Sequence, residues 1–441
     1  MSTDYGQRHR STPGPILREE YMKRTNKKFA PVLLTAAFAI GLVACGGDDG
    51  GSSSSSEAPS TEAPTSEAPS TEAPAGEVRS SQYVPTGDPM DNFTAWDDTN
   101  TVIDCAPEEG PLKAAWIYVG PINDGGWTQV HDEARQAVQE HFGDAVETTY
   151  KELVPEGPQA LQTIEDLIAD GNTVIFGTSF GFQDQFIEAA AAHPEVCFEF
   201  ATGYKSAPNV SQFYGAAEDT DYLTGMAAGA ASASGKLGMV SSFSFAEVVR
   251  GVNAFALGAQ AMNPEATVKV LFIQSWFDPA EERKAAEALL AEGVDVLGMK
   301  GVDSPSTGDV AKENGIPWAG YNKDQSANYP EVWLTATAYD WSVYEIPRLQ
   351  QILDGTWVAG NYYGTLKDGF VKLGKFGSLV SDETYAAIEA RLIELAEAPG
   401  SQFTGPIMDN QGNEVLADGV SHTYGELMEM AYLVAGVEGE L

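Results

Sequence analysis

Residues 114–127 read AAWIYVGPINDGGW, and this stretch decides the fold. A short apolar run ends at Gly120 and Pro121, a polar loop follows, and a helical pattern begins directly after Trp127. This order predicts a buried strand, a loop and a helix, which together form the βα turn of an open α/β sheet. Open α/β sheets bind ligands at such turns, outside the carboxyl ends of the strands. The loop is therefore interpreted as a ligand clamp.

The same alternation of strands and helices continues on both sides of this stretch. Strands are expected at residues 114–119, 146–153, 173–176, 196–200, 237–241, 267–273, 294–299 and 317–321. Helices are expected at residues 128–142, 158–170, 182–193, 245–262, 279–292, 305–314 and 341–353. The repeated βα rhythm predicts parallel sheets with right-handed crossovers. Because 441 residues are too many for one ordinary core, the two rounds are interpreted as two Rossmann-like, parallel-sheet lobes of an α/β protein.

The lobe boundaries are placed where the alternation of predicted strands and helices is interrupted. A lead-in at residues 79–111 precedes the lobes. The first lobe is assigned residues 112–217 plus 341–357, and the second lobe residues 218–340 plus 358–441. Hinge crossings are expected near residues 215–221 and 334–341.

The first 44 residues have the pattern of a secretory signal, with Met22 as an alternative start. Four basic residues precede an apolar run at residues 29–43, and small residues come directly before Cys45. This pattern predicts a lipoprotein signal with a lipid on Cys45. A transmembrane anchor is the weaker alternative, because the run is shorter than the roughly 20 residues that a span needs. The expected location is the extracytoplasmic face of the cell membrane.

Residues 45–78 are rich in Ser, Glu, Ala and Pro and have no apolar periodicity, which predicts a disordered tether. The chain carries a formal net charge of −39. Such a field disfavours nucleic acid, anionic lipid and phosphorylated ligands, and it favours a neutral or weakly cationic ligand. An acidic surface adapted to high salt explains the bulk of the charge equally well.

Cys105 and Cys197 are the two cysteines that remain when Cys45 is assigned to the lipid. An even pair in an oxidising compartment is compatible with a disulfide. Two separate buried thiols are the alternative.

The strongest enzyme signal is GTSFG at residues 177–181, a GxSxG after a predicted strand. This context is typical of a nucleophile elbow, so an exported serine hydrolase that uses Ser179 is one alternative function. Against it, none of the few histidines is well placed, and no HGGG segment precedes the motif. Metal-binding HxxxH and CxxC patterns and phosphate-binding glycine motifs are also missing from the sequence. We therefore expect no enzyme activity, no metal and no cofactor.

Aromatic, acidic and amide side chains recur at the predicted strand ends and crossings. These residues are Asn123, Asp124, Trp127, Ser179, Phe180, Trp276, Phe277, Asn322, Asp340 and Trp341. Together they suit a cleft that stacks on a flat neutral heterocycle and accepts its N–H groups. A sugar would use the same residue types, so a sugar receptor of the same fold stays open.

Several segments resemble the BMP (basic membrane protein) family of ABC-transporter substrate-binding lipoproteins, over about residues 113–439. The matching segments are VGPINDGGWTQVHDEAR, GTSFGFQD, RGVNAFALGAQAMNP, SWFDPAEERKAAEALLAEGVDVL, GYNKDQ and GVEGEL. The resemblance implies a type I periplasmic-binding-protein fold and a purine nucleoside or base as ligand. By position it adds Arg250 and Asn253 to the ligand-binding set. The segment LTATAYDW lacks the lysine that many members carry there, and this departure favours a nucleobase over a nucleoside.

The sequence therefore predicts a lipid-anchored receptor, expected to be a monomer, that closes two lobes on a purine base or nucleoside. It would deliver this ligand to a membrane permease with a cytoplasmic ATPase, break no bond and contact the membrane only through its lipid. Trp127 would stack on the ring, while Asp124 and Asp340 would accept its N–H groups. Asn322 and Ser179 would complete the polar contacts.

Overall fold

The computed structural model describes residues 78–96 and 101–441. The expected signal peptide, the lipid site at Cys45 and nearly all of the expected tether lie outside these residues. No helix formed by the described residues is both long enough and apolar enough to cross a membrane.

The elements are numbered in chain order. The strands are β1 (Phe93–Ala95), β2 (Leu112–Ile117), β3 (Val146–Lys151), β4 (Val174–Gly177), β5 (Cys197–Ala201), β6 (Val210–Gly215), β7 (Lys236–Ser241), β8 (Thr267–Phe272), β9 (Val296–Lys300), β10 (Trp318–Gly320), β11 (Trp333–Tyr339), β12 (Gly360–Gly364), β13 (Val371–Leu373), β14 (Ile407–Met408), β15 (Glu414–Leu416) and β16 (Val437–Glu438). The α-helices are α1 (Trp127–Phe142), α2 (Pro158–Ala169), α3 (Gln183–Ala192), α4 (Ala217–Ala231), α5 (Ala246–Met262), α6 (Pro279–Ala291), α7 (Ser306–Asn314), α8 (Ser342–Leu353), α9 (Asp382–Glu397) and α10 (Tyr424–Met428).

Two seven-stranded sheets form the centres of the two lobes. The first has the order β1-β12-β6-β5-β4-β2-β3, and the second has the order β13-β11-β10-β9-β7-β8-β16. In each sheet only one edge strand runs antiparallel to its neighbour, β1 on β12 and β13 on β11. The predicted α/β architecture with two parallel-sheet lobes is confirmed. Strands buried on both faces explain the continuous apolar runs, because helices cover both sides of a parallel sheet.

After the lead-in, the described part of the chain crosses between the lobes three times. It passes from β6 into α4, from β11 into α8, and from β12 into β13. The third crossing corrects the expected boundary after residue 357, because β12 pairs with β6 in the first sheet and does not belong to the second lobe. β12 has the sequence GNYYG, whose glycines and asparagine have low strand propensity, and the pattern therefore does not stand out locally.

Helix α4 packs on α5 with the two backbones in close approach. A Cβ added at Gly225 would lie 2.1 Å from the carbonyl oxygen of Phe255, and one added at Gly258 would lie 1.9 Å from that of Tyr222. Glycine is therefore required at both positions. Because α4 is buried almost all round, it has no polar stripe to mark it as a helix in the sequence.

The lead-in runs over both lobes and does not stand apart from them. Arg79 pairs with Phe376 beside the second sheet, Gly87 donates its N–H to the carbonyl of Lys367 at 2.8 Å, and β1 extends the first sheet. A disulfide joins Cys105 to Cys197, with 5.9 Å between the Cα atoms. The paired alternative for these cysteines is thus the one observed, and it is typical of an oxidising compartment.

Candidate functional site

One cavity lies where the carboxyl ends of the strands of both sheets meet. It contains about 360 Å³ of atom-free space, part of it open to solvent. Its wall consists of Val119, Trp127, Thr178, Ser179, Phe180, Thr202, Glu247, Trp276, Gly301, Asp303 and Tyr321. Most of these residues lie within four residues after the end of a strand, as expected for the ligand site of an open α/β sheet. The enclosed space that could hold a ligand is only about 30 Å³, well below the range of about 300–1,000 Å³ that is usual for small-molecule sites.

A second hollow lies between the lead-in and the end of α9, and it differs in chemistry. Its wall includes Asp88, Asp91, Asn92 and Glu397 but no aromatic side chain among the described residues. Because its described wall lacks a stacking surface, we place the candidate site in the cavity between the lobes.

Each lobe contributes one indole to the cavity wall. Trp127 begins α1, and its Nε1 donates to the carbonyl of Thr178 at 2.6 Å, which holds the ring in place. Trp276 follows β8 and packs against Phe243, with ring centroids 4.8 Å apart. Where the lobes meet, Phe180 contacts Phe245 at a centroid distance of 5.2 Å. The cavity is thus bounded by aromatic faces from both sides.

Two carboxyl groups line the cavity, and both come from the second lobe. Glu247 lies in the first turn of α5, and Asp303 follows β9. Burial raises the pKa of Glu247 above its ordinary value. The Nδ2 of Asn322 donates to Oδ1 of Asp303 at 3.0 Å.

The positive charge behind the cavity is already engaged. The Nζ of Lys300 lies 2.7 Å from Oδ2 of Asp221 and 4.3 Å from the ring centre of Tyr321. Burial alone would lower the pKa of Lys300, but the Asp221 carboxylate raises it above its ordinary value. The described wall of the cavity includes no lysine and no arginine. A phosphorylated ligand therefore finds no counter-charge there.

Four of the residues that the sequence proposed as ligand contacts meet in this wall: Trp127, Ser179, Phe180 and Trp276. The other eight lie elsewhere. Asn123 is exposed on the loop before α1. Asp124 is buried and accepts the backbone N–H groups of Gly126, Thr128 and Gln129 at 2.8–3.1 Å, so that it builds the start of α1.

Arg250 and Asn253 hold other parts of the protein together. The buried guanidinium of Arg250 donates to Glu218 at 3.1 Å. The carboxamide of Asn253 donates to the carbonyl of Tyr432 at 2.7 Å and accepts from the N–H of Val434 at 2.9 Å. Both side chains project from α5, and that of Asn253 fixes the C-terminal segment to the second lobe.

The remaining predicted residues do not line the cavity. They lie behind or beside residues of its wall, or away from it. Asn322 supports Asp303 from behind, and Phe277 is half-buried next to Trp276 without joining the described wall. Asp340 forms an ion pair with Lys372 at 2.9 Å. Trp341 is fully buried behind Trp127, with ring centroids 5.0 Å apart.

Ser179 does not have the surroundings of a nucleophile. Its Oγ donates to Oε1 of Glu156 at 2.5 Å, and its backbone is extended, with φ −142° and ψ 138°. A nucleophile elbow is instead a sharp, strained turn. None of the described histidines forms a hydrogen bond with Ser179. Nor do the described residues contain a group of three metal-ligating side chains.

The wall residues that sequence reasoning missed are Val119, Thr178, Thr202, Glu247, Gly301, Asp303 and Tyr321. A signal existed for most of them, because Thr178, Thr202, Gly301 and Asp303 follow predicted strands, and Val119 and Tyr321 are the last residues of predicted strands. Glu247 had no such signal, since it lies inside a predicted helix and only the orientation of α5 brings it to the cavity.

The model of the Bmp family, described as "ABC transporter substrate-binding protein PnrA-like", matches residues 112–396. This chain belongs to that family. It is 39% identical over 336 residues to a purine-binding protein of Brucella abortus, covering 76% of this chain and 95% of the relative. It is 35% identical over 350 residues to a putative ABC transporter glucose-binding protein of Haloferax volcanii, covering 79% of this chain and 86% of the relative.

Solved structures agree on the fold of this Bmp-family protein. An ABC transporter solute-binding protein from Aeropyrum pernix aligns with a TM-score of 0.57 at 15% identity, covering 65% of this chain and 92% of the other. One from Conexibacter woesei aligns with a TM-score of 0.54 at 22% identity, covering 65% and 96%. The protein is an extracytoplasmic substrate-binding protein of an ABC transporter, which binds a small solute and works with a permease and its ATPase.

Proposed function

We propose that the solute is a purine base or nucleoside, which the two lobes enclose without altering it chemically. The observation that carries this proposal is the composition of the cavity wall: one indole from each lobe, two carboxyl groups and no basic side chain among the described lining residues. A flat, neutral, nitrogen-rich ring matches such a wall, because it stacks on aromatic faces and offers N–H groups to acceptors. The purine-binding relative adds support.

Closure in this proposal uses the three crossings between the lobes. Three tyrosine hydroxyl groups form a chain there, with Tyr214 2.9 Å from Tyr339 and Tyr339 3.0 Å from Tyr321. Tyr321 also belongs to the cavity wall. A ligand that contacts both lobes stabilises the closed arrangement by its higher affinity for that arrangement.

A sugar is the second candidate, since the relative from Haloferax volcanii is named as a putative glucose-binding protein. Aromatic faces and carboxylates also suit a sugar ring. Titration calorimetry of the purified protein with adenine, guanine, adenosine and glucose separates the two candidates. We expect heat of binding with at least one purine and none with glucose; the reverse pattern would replace the purine proposal with the sugar receptor.

We further propose that a lipid on Cys45 anchors the protein to the outer face of the cell membrane, with the tether between the lipid and the lobes. Cell fractionation tests this point. The wild-type protein should sediment with membranes, and a Cys45→Ser variant should be recovered in the soluble fraction. Membrane association that survives the substitution would mean that a different segment holds the protein to the membrane.

A further inference from the structure

Asp303 is the most enclosed charged group of the cavity wall. It follows β9, only 5% of its surface is exposed, and it still belongs to the lining of the cavity. One carboxyl oxygen, Oδ1, accepts from the carboxamide of Asn322. The other oxygen, Oδ2, has no hydrogen-bond partner among the described residues. A bound ligand can therefore reach an oxygen that the protein leaves free.

The carboxamide that holds Asp303 is itself incompletely bonded. Asn322 is fully buried, and its Oδ1 has no hydrogen-bond partner among the described residues. Its backbone has a φ of +69°, an uncommon conformation for a residue other than glycine. A buried, unpaired carbonyl oxygen costs free energy unless a ligand or a water molecule completes it. Asn322 thus holds Asp303 from behind, and the free hydrogen-bonding position that borders the cavity is Oδ2 of Asp303.

The groups that surround Asp303 on every side are acidic or neutral. Asp124 faces it from the loop before α1 in the first lobe, and Glu282 and Glu247 face it from α6 and α5. Asn322 approaches from the end of β10. Lys300 at the end of β9 is bound to Asp221 instead, as described above. Among the residues that the structure describes, Asp303 consequently has no cation as a partner.

Such surroundings favour the uncharged form of a carboxyl group. Taking an ionised carboxylate out of water without a cation costs more free energy than protonating it. Burial is the largest cause that raises the pKa of Asp303 well above its ordinary value, and the charges of Asp124 and Glu282 add to it.

We propose that Asp303 binds the ligand as a neutral carboxyl group, with Oδ2–H donating to an acceptor nitrogen of the ring. The neighbouring N–H of the ligand is then accepted by Oδ1 of the same group. This inference rests on the proposed purine function. It specifies which protein atoms form hydrogen bonds with the purine ring. It specifies a ligand edge on which an acceptor nitrogen stands next to an N–H donor, such as N1 and the amino group of adenine.

An ionised carboxylate would select a different chemistry. It only accepts hydrogen bonds, and it therefore prefers two adjacent N–H groups or two adjacent hydroxyl groups of a sugar. The protonation state of Asp303 thus decides between ring edges, and also contributes to the choice between a purine and a sugar.

The test uses adenine as the probe, titration calorimetry of the purified protein, and the variants Asp303→Asn and Asp303→Ala. An asparagine keeps one donor and one acceptor side by side and cannot ionise, so that it mimics the neutral acid. We expect Asp303→Asn to bind adenine within about threefold of wild type, and Asp303→Ala to bind it at least about tenfold more weakly. The exposed Asp144→Asn serves as the matched control and should retain wild-type affinity.

A second readout is the direction of the pH dependence between about pH 6 and pH 8.5. Wild-type affinity for adenine should stay level or fall as pH rises, and that of Asp303→Asn should fall less. Wild-type affinity that rises at least about threefold over this range, or an Asp303→Asn variant as weak as Asp303→Ala, would overturn the inference.

Failure of the inference and failure of the proposed function give different results. If the wild-type protein binds purines but needs the ionised form of Asp303, the proposed function stands and the inference about the neutral carboxyl group is wrong. A protein that binds guanine but not adenine has the same consequence. A wild-type protein that binds glucose and no purine contradicts both. Thermal unfolding of each variant shows whether a loss of binding reflects a loss of folding.

Discussion

Two buried aspartates of the second lobe, Asp221 and Asp303, have opposite surroundings. Asp221 accepts from Lys300 and from the hydroxyl of Thr337, each at 2.7 Å, so that both of its oxygens are bonded and its charge is balanced. Asp303 has one amide donor and no cation. The first arrangement is complete within the protein. In the second arrangement, Oδ2 of Asp303 has no hydrogen-bond partner among the described residues.

This difference distinguishes a carboxylate whose partners all lie within the protein from one that has an oxygen free at the candidate site. An ion pair that is buried and fully hydrogen-bonded holds elements together, and removing one partner leaves an uncompensated charge. A buried polar group that lacks a partner costs stability unless a ligand or a water molecule completes it. The predictions below test each side of this contrast.

The largest effect is expected at the paired side, for Lys300→Met. The substitution leaves Asp221 buried without its cation, and we expect the free energy of unfolding to fall by about 3–5 kcal/mol. Urea unfolding followed by circular dichroism measures it. Lys312→Met removes a half-exposed lysine from the same lobe and should cost less than about 1 kcal/mol. Similar costs for the two variants would mean that the Asp221 pair contributes little.

Near Asp303, the carboxylate without a cation, the buried side chain of Glu282 is expected to make the stability of the fold depend on pH. Burial raises its pKa from 4.5 to about 7. The folded state therefore holds this proton more tightly than the unfolded state, and the resulting stability is present below about pH 4.5 and lost as pH rises through about 7. The total is at most about 3 kcal/mol.

Urea unfolding at several pH values measures this change in wild type and in Glu282→Gln. The glutamine variant should lose less stability than wild type between about pH 4.5 and pH 7, because its side chain does not titrate. Parallel curves for the two proteins would show that Glu282 ionises normally in the folded state.

A smaller effect is expected for the indole of the second lobe. Trp276→Ala removes one stacking face, and we expect adenine affinity to fall about tenfold to a hundredfold. Phe277→Ala removes the adjacent ring, which the sequence proposed as a ligand contact and which the structure leaves out of the described wall. Calorimetry on both variants compares the two expectations directly, and an equal loss in Phe277→Ala would favour the sequence-based site.

The smallest effect is expected for Ser179→Ala. Its hydroxyl is already bonded to Glu156, so adenine affinity should change by about tenfold at most. A fluorophosphonate probe should label neither wild type nor the variant. Labelling of wild type that disappears in Ser179→Ala would identify a serine hydrolase and contradict the receptor function.

Much of the fold could be predicted because apolar periodicity is local. Each of the eight predicted strands corresponds to a strand of the structure, and the helices between them begin and end within a few residues of expectation. Among the elements that were missed, β6, β11, β12 and α4 lie at the crossings, whereas β1 belongs to the lead-in and β13 to β16, α9 and α10 belong to the C-terminal part of the chain. At the crossings β6, β11 and α4 are buried almost all round, so no alternation of polar and apolar residues marks them.

The candidate site could be predicted only in part, for a related reason. Trp127 and Trp276 were found because a residue after a parallel strand lies at the ligand-binding edge whatever its partners are. Asp124 was assigned to the ligand because polar side chains near that edge look alike in the sequence, and Arg250 and Asn253 were assigned by position from the family resemblance. The structure gives each of them protein partners instead.

The sequence alone therefore determined that this protein has two parallel-sheet lobes and placed the candidate ligand site at the strand ends, since both depend on patterns within single segments. Only the tertiary structure decided which acidic groups are neutralised and which remain free. The partner of a buried charge is set by packing between distant segments, as with Lys300 and Asp221 or Asn322 and Asp303.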